Sequence, residues 1–247
     1  MSLLLIIVGG NKIRDIDFNS LIRLLWYNCI PILVYTVIQT PEYSELEFSL
    51  SAGFETTGGF GSNQVATILG LGMFLSFYAW MNKLLFSGIH SLDGFFIGLF
   101  AYQGFLTFSR GGMIVGVLSI LLYYIIFRSS KSFRFFSKTK SLRPLLFFVL
   151  ALFILISTYT IIQNISDGNL TLRYLGETQS TLTGQREKTI NTITSGRYSI
   201  MVSDINLWFN NFIFGTGAGA SRYLRDEIIY GYVAHTEFTR LLSEHGL

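Results

Sequence analysis

Side chains that can bind anions or exchange protons are concentrated in the last third of the chain, residues 164–247. They are Arg186, Arg197, Arg222, Arg225, His235 and Glu237. A guanidinium group binds phosphate oxygens through two parallel hydrogen bonds, and an imidazole accepts a proton near neutral pH. These residues could therefore bind an anion or exchange a proton. A lone histidine is more often structural than catalytic, so both interpretations of His235 stay open here.

The rest of the chain has the composition of a membrane protein. Of its residues, 50% are hydrophobic and 13% are charged, and the mean hydropathy is +0.48, whereas soluble domains have about 25% charged residues. Four or five apolar runs approach the roughly 20 residues that a helix needs to cross a bilayer. They are residues 21–38, 65–86, 94–108, 112–127 and 144–162. The sequence therefore predicts an all-α, polytopic transmembrane helix bundle with about five spans.

Charge predicts the sidedness of these spans. The loop 128–143 has no acidic residue and six basic ones, Arg128, Lys131, Arg134, Lys138, Lys140 and Arg143. Such loops are cytoplasmic, so alternating spans place residues 41–64, 109–112 and 164–247 outside. We expect residues 1–163 to form the transmembrane region and residues 164–247 a large, mainly helical external loop, cut short at its C-terminus. A short basic loop between two spans does not indicate nucleic-acid binding.

Metal and disulfide chemistry are not indicated. Cys29 is the single cysteine, so an internal disulfide is excluded. The three histidines, His90, His235 and His245, lack the paired spacing of a metal site. We therefore predict no metal and no other cofactor.

Arg110 lies in the motif Ser109-Arg110-Gly111-Gly112, between two apolar runs. A charge at membrane depth is costly, and it is a functional hypothesis by default. Phosphate on a lipid would be a suitable partner. The alternative is an arginine that extends to the lipid headgroups.

Two polar motifs precede predicted helices. Ser62 or Asn63 is predicted to cap the helix that follows, and the alternative is an anion site that includes Asn63 and Gln64. Ser195 is predicted to cap a helix that begins near Arg197. That helix has an apolar stripe at helical spacing that includes Arg197. If the stripe faces the membrane frame, Arg197 faces it too. The alternative is a surface arginine in a helix whose apolar face is slightly rotated. The stripe consists of Ile193, Arg197, Met201, Ile205 and Phe209.

A glycine-rich turn, residues 214–220, comes before Arg222. It does not follow a predicted strand, so a dinucleotide site is not indicated. A flexible loop is one interpretation. The other is a close approach of substrate to Gly217 and Gly219, with Arg222 nearby.

Five motifs in order resemble the O-antigen ligase and polymerase superfamily. They are residues 59–65, 109–111, 195–197, 215–219 and 235–238. The resemblance implies a multi-pass enzyme of the bacterial inner membrane that works without a metal. Ligases of this family move a glycan from undecaprenyl diphosphate to lipid A-core, and polymerases extend the lipid-linked glycan. Thr236 stands where the family often has asparagine, which puts contacts to the acceptor in doubt.

The resemblance also implies roles for individual residues. Arg110 and Arg197 match arginines thought to hold the diphosphate, and His235 matches the histidine proposed to activate the acceptor hydroxyl. The substrate-binding set is Arg110, Arg197, Arg222, Gly217, Gly219, Asn63 and Gln64. Expected partners are the undecaprenyl diphosphate-linked glycan, an acceptor (lipid A-core or a growing glycan) and membrane lipids. The alternatives are a polymerase of the same superfamily, a transporter of lipid-linked oligosaccharides and a non-catalytic membrane scaffold.

Overall fold

The computed structural model describes residues 18–42, 46, 48, 50, 53, 55–129, 142–232 and 236–247. Every regular element within these residues is helical, so the predicted all-α class is confirmed. The chain divides into two compact units, Met1–Thr171 and Leu172–Leu247. The second unit begins a few residues after the predicted start of the external loop.

Long helices dominate the first unit. They are α1 (Phe18–Gln39), α2 (Ser62–Asn82), α3 (His90–Leu106), α4 (Arg110–Ser129) and α5 (Arg143–Ile165), followed by the short α6 (Asn169–Tyr174). Among the residues that the structure describes, three segments are long and apolar enough to cross a membrane: α1, α2 and residues Pro144–Ile165 of α5. The apolar part of α4, Arg110–Ile126, is shorter. A membrane protein with three candidate spans agrees with the sequence, and a total of about five spans remains a prediction.

Contacts between helix ends show that the first helices alternate in direction. At one end of the bundle, the Arg23 guanidinium of α1 donates to the Leu84 carbonyl just after α2, at 3.0 Å. The Asp93 carboxylate of α3 accepts a hydrogen bond from the backbone amide of Ser87 at 2.9 Å. The start of α1, the end of α2 and the start of α3 therefore lie together.

Small residues let α2 and α4 pack closely along their length. A methyl group on Gly116 would lie 2.8 Å from the Gly70 carbonyl oxygen, and one on Gly112 would meet the backbone of Ala66. Both glycines are on α4 and are separated by four positions, as in the small-residue interfaces of membrane helices. Gly112 thus serves helix packing, whereas a methyl group on Gly111 would meet no atom within 4 Å.

The second unit consists of short helices and turns. After the end of α6 they are α7 (Gln179–Leu182), α8 (Ile190–Ile193), α9 (Arg197–Asn210), 3-10 turns at Ser221–Tyr223 and Glu227–Ile229, and α10 (Glu237–His245). The apolar stripe of α9 is not its buried face. Its buried residues are Ile200 and Asp204, and Phe209 is 65% exposed. The buried face of the helix includes the charged residue Asp204, which an analysis of hydrophobic periodicity does not detect.

Candidate functional site

Arg110 is the first residue of α4, and its side chain is half-buried. The preceding residue, Ser109, is buried and donates its hydroxyl proton to the Asn63 side-chain carbonyl at 2.8 Å. Asn63 is the second residue of α2. Two of the motifs singled out in the sequence therefore meet at one end of the first unit.

The described part of the loop 41–64 lies at this same end. The Thr56 hydroxyl donates to the Leu106 carbonyl at the end of α3, at 2.8 Å. The buried Gln103 side chain of α3 donates to the Thr56 carbonyl at 2.9 Å. The Asn169 side chain, at the start of α6, donates to the Phe48 carbonyl at 2.9 Å. The described part of the loop is thus bonded to the end of α3 and to the start of α6.

The turn before Arg110 has a constrained backbone. Phe108 has a φ of +53° although it carries a bulky side chain, a conformation that costs about 1–3 kcal/mol. Its side chain is buried, and its ring centroid lies 5.6 Å from that of Phe48. The Thr107 hydroxyl oxygen accepts a hydrogen bond from the backbone amide of Ser109 at 3.2 Å. Surrounding contacts therefore hold the start of α4 in one position.

Neither predicted cap at the start of α2 is present. Gly61 is the N-cap residue, and no side chain caps the helix. Ser62 is buried within the first turn, and Asn63 uses its carbonyl for Ser109. Gln64 is exposed, and its amide oxygen lies 3.1 Å from where a methyl group on Gly61 would be. The helix begins one residue earlier than a Ser62 cap requires, and the Asn63 side chain contacts Ser109 instead of capping the helix.

In the second unit, Arg197 is the first residue of α9 and is half-buried. The predicted cap, Ser195, is wrong, because Gly196 is the N-cap and both residues have positive φ, +54° and +82°. The guanidinium of Arg197 has no hydrogen bond or ion pair with any residue that the structure describes. It is available to an anionic ligand.

Arg225 forms an ion pair with Asp204 that is fully enclosed. The distance from its Nη2 to Asp204 Oδ1 is 2.6 Å, and both side chains have no exposed area. Arg225 also donates to the Tyr232 carbonyl, and Asp204 Oδ2 accepts from the Thr239 hydroxyl at 3.4 Å. The pair joins α9 to the start of α10 and to residue 232, so Arg225 has a structural role. The sequence prediction did not include Asp204, although it is the one acidic residue in α9 and follows buried Ile200 by four positions.

The glycine-rich turn packs against the end of α10. A methyl group on Gly215 would meet the backbone of Glu244 and His245. The Thr216 amide donates to the Ser243 carbonyl at 2.8 Å, and the Gly217 amide donates to the Glu244 carbonyl at 2.9 Å. These bonds satisfy carbonyls at a helix C-terminus. The turn is therefore held in place, and the amide of Gly217 already has an intramolecular acceptor.

Gly219 and Arg222 lie beyond those bonds. Gly219 has a φ of +75°, and a methyl group there would meet no atom within 4 Å. Arg222 is exposed, with its guanidinium carbon 4.7 Å from the Tyr223 ring centroid. Both residues are accessible in the second unit.

The remaining predicted site residue, His235, lies outside the described residues, as does most of the basic loop 128–143. Arg110 belongs to the first unit and Arg197 to the second. Of the predicted motifs, the structure brings together the two that contain Asn63 and Ser109, both in the first unit. Among the described residues, no group of three or more His, Cys, Asp or Glu side chains is arranged to hold a metal ion.

Comparison with known proteins gives no relative. No protein-family model matches the chain, and neither a curated protein nor a solved structure is significantly similar to it.

Proposed function

We propose that this chain is part of an inverting, metal-independent membrane glycosyltransferase of the O-antigen ligase or polymerase type. Its donor is a glycan on undecaprenyl diphosphate, and its acceptor is lipid A-core or a growing glycan. The proposal places the protein in the bacterial inner membrane, with residues 164–247 on the periplasmic side. It rests on the motif resemblance and on the physical setting of two arginines.

The observation that carries the proposal is that Arg110 and Arg197 each begin a helix of more than ten residues. Neither helix has an acidic residue in its first turn. A helix N-terminus is electropositive, so a cation there is disfavoured by about 0.3–1 kcal/mol. A bound diphosphate would offset this penalty, because its negative charge would lie close to a guanidinium at the positive end of a helix. The two positions suit a dianionic leaving group.

In the proposed reaction, His235 accepts the proton of the acceptor hydroxyl as the hydroxyl oxygen attacks the anomeric carbon. The bond between that carbon and the diphosphate oxygen breaks, and the configuration inverts. Arg110 and Arg197 stabilise the charge that develops on the departing undecaprenyl diphosphate. Asn63, Gln64, Gly217, Gly219 and Arg222 complete the substrate contacts in this proposal.

The proposed membrane arrangement has five spans. α3 and α4 lie within the same bundle as the three candidate spans, because a methyl group on Gly98 of α3 would be 3.3 Å from Ile154 of α5, and the Asn82 side chain donates to the Tyr123 hydroxyl of α4 at 2.8 Å. If α3 and α4 also cross, residues 41–64 and 109–112 share the external side with the second unit. This arrangement would bring the loop, Arg110 and residues 164–247 to one leaflet.

Reconstitution tests the reaction class. The full-length protein in nanodiscs would be supplied with an undecaprenyl diphosphate-linked glycan and, separately, with lipid A-core or a second lipid-linked glycan. Transfer to lipid A-core indicates a ligase, and elongation of the lipid-linked glycan indicates a polymerase. In sealed proteoliposomes, movement of the donor across the bilayer without any new glycosidic bond would instead indicate a transporter. Binding without transfer or movement would indicate a scaffold.

A further inference from the structure

An exposed aromatic surface lies at the end of α9, in residues 208–214, here named the aromatic tip. Three of its side chains are largely in solvent: Phe209 is 65% exposed, Ile213 is 64% exposed and Phe214 is 87% exposed. The Trp208 ring lies between two phenylalanine rings, with centroids 5.0 Å from those of Phe209 and Phe212. Contiguous exposed apolar groups of this kind mark a contact surface.

The tip is a fixed structure, because its backbone is bonded on both sides. The Gly215 amide donates to the Asn211 carbonyl at 2.8 Å, and the Leu247 amide donates to the Phe212 carbonyl at 3.1 Å. Thr216, next to the tip, is held by the Ser243 carbonyl through both its amide and its hydroxyl. The apolar side chains therefore point outward from a backbone that cannot readily turn them inward.

The composition of the tip fits a lipid surface. No charged residue occurs between Asp204 and Arg222, and Asp204 is buried in its ion pair. Tryptophan is favoured at the level of the lipid headgroups, where one side of the ring is apolar and the other is polar. Asn210 and Asn211 lie within the tip and are exposed.

A bilayer is within reach of the second unit. The candidate span Pro144–Ile165 ends shortly before this unit begins at Leu172. Extended chain covers at most about 3.3–3.6 Å per residue, so the first residue of this unit cannot be far along the chain path from the end of the span. We propose that the aromatic tip inserts its apolar side chains into the interfacial layer of the bilayer that anchors the chain. This inference depends on the membrane spans and is independent of the proposed enzymatic activity.

Site-directed spin labelling tests the proposal in the full chain. Cys29→Ser provides a background without cysteine, and a nitroxide is placed at Phe214→Cys or, as the control, at Gln185→Cys, which is exposed in a polar loop. Both proteins are reconstituted in nanodiscs of phosphatidylethanolamine and phosphatidylglycerol. Insertion predicts a several-fold loss of collisions with a water-soluble nickel chelate at position 214 compared with 185, together with increased collisions with oxygen. Equal accessibility at the two sites would overturn the proposal. Low accessibility to both reagents at position 214 would also overturn it, since that result indicates a protein partner or a second copy.

A second measurement avoids labels. Brominated lipids quench tryptophan at short range, and the difference between the natural protein and Trp208→Phe isolates the signal of Trp208 from those of Trp26 and Trp80. Insertion predicts strong quenching of this difference signal by lipids brominated near the headgroup. Absence of quenching would contradict the proposal even if a cysteine variant failed to fold.

Discussion

The guanidinium of Arg225 and the carboxylate of Asp204 are 2.6 Å apart in the second unit, and neither side chain has any area exposed to solvent. Removing one member of a buried pair leaves the other charge without compensation, which costs about 3–5 kcal/mol. The pair thus fixes how α9, residue 232 and α10 fit together. Its further contacts are with Tyr232 and Thr239.

Arg225→Met is expected to lower the free energy of unfolding of the second unit by about 3–5 kcal/mol. Hydrogen–deuterium exchange of α9 and α10 in nanodiscs measures this loss as reduced protection. The matched control is Arg240→Met, because Arg240 pairs with Glu237 at the surface and exposed pairs contribute about 0–1 kcal/mol. Equal protection in the two variants would show that the buried pair contributes no more to stability than the exposed pair does. The double variant Asp204→Leu with Arg225→Met is expected to recover part of the loss.

Gly112→Ala is expected to destabilise the first unit by about 1–3 kcal/mol, since the added methyl group meets the backbone of α2. Gly111→Ala is the control one position away, where the methyl group meets no atom within 4 Å. Its stability is expected to stay the same or rise slightly, because alanine favours helix over glycine. Thermal unfolding in one detergent compares the two variants. A larger loss for Gly111→Ala would contradict the close packing of α2 and α4.

The Glu177 carboxylate accepts hydrogen bonds from Lys188 and Thr181, both at 2.7 Å. These bonds lower the pKa of Glu177, chiefly through Lys188. A lowered pKa in the folded state contributes stability that is present above the unfolded value, about 4.3, and is lost as the pH falls through the lowered value. We therefore expect the amides near the start of α7 to become less protected from exchange as the pH falls. The observed rates are compared with the intrinsic rates at each pH.

Two substitutions check this pH dependence. Glu177→Gln is expected to remove the dependence contributed by this group. Lys188→Met removes the main cause of the lowered pKa, so the loss of protection on acidification should be smaller than in the natural protein. Identical pH profiles for all three proteins would refute the linkage.

Composition and apolar length predicted the helices of the first unit well, because burial in lipid or protein requires long apolar runs. The run 21–38 corresponds to α1 (Phe18–Gln39), and the run 144–162 corresponds to α5. The run 65–86 extends past the true end of α2, since Lys83 adopts a φ of +56° and closes the helix. Phe86 is buried in the following turn, so its hydrophobicity reflects packing there.

The second unit was less predictable because its organisation depends on contacts between distant residues. Ser195 has the side chain of a helix cap, but its positive φ and that of Gly196 move the cap by one residue. Asp204 and Arg225 are 21 positions apart, and no local pattern indicates that they pair. The glycine-rich turn could be identified from sequence, whereas its bonds to the end of α10 could not.

Glycan transfer by single-residue variants tests the central claim most directly. Full-length protein in nanodiscs would be given an undecaprenyl diphosphate-linked glycan and an acceptor, and the initial rate of transfer would be measured. Arg110→Ala, Arg197→Ala and His235→Ala are each expected to lower the rate at least about a hundredfold with insertion unchanged, since one preorganised donor contributes about 2.7–4 kcal/mol. Lysine at either arginine position should restore only part of the rate. Arg23→Ala, at the opposite end of the first unit, should transfer normally. Transfer at the natural rate by all three alanine variants would contradict the account.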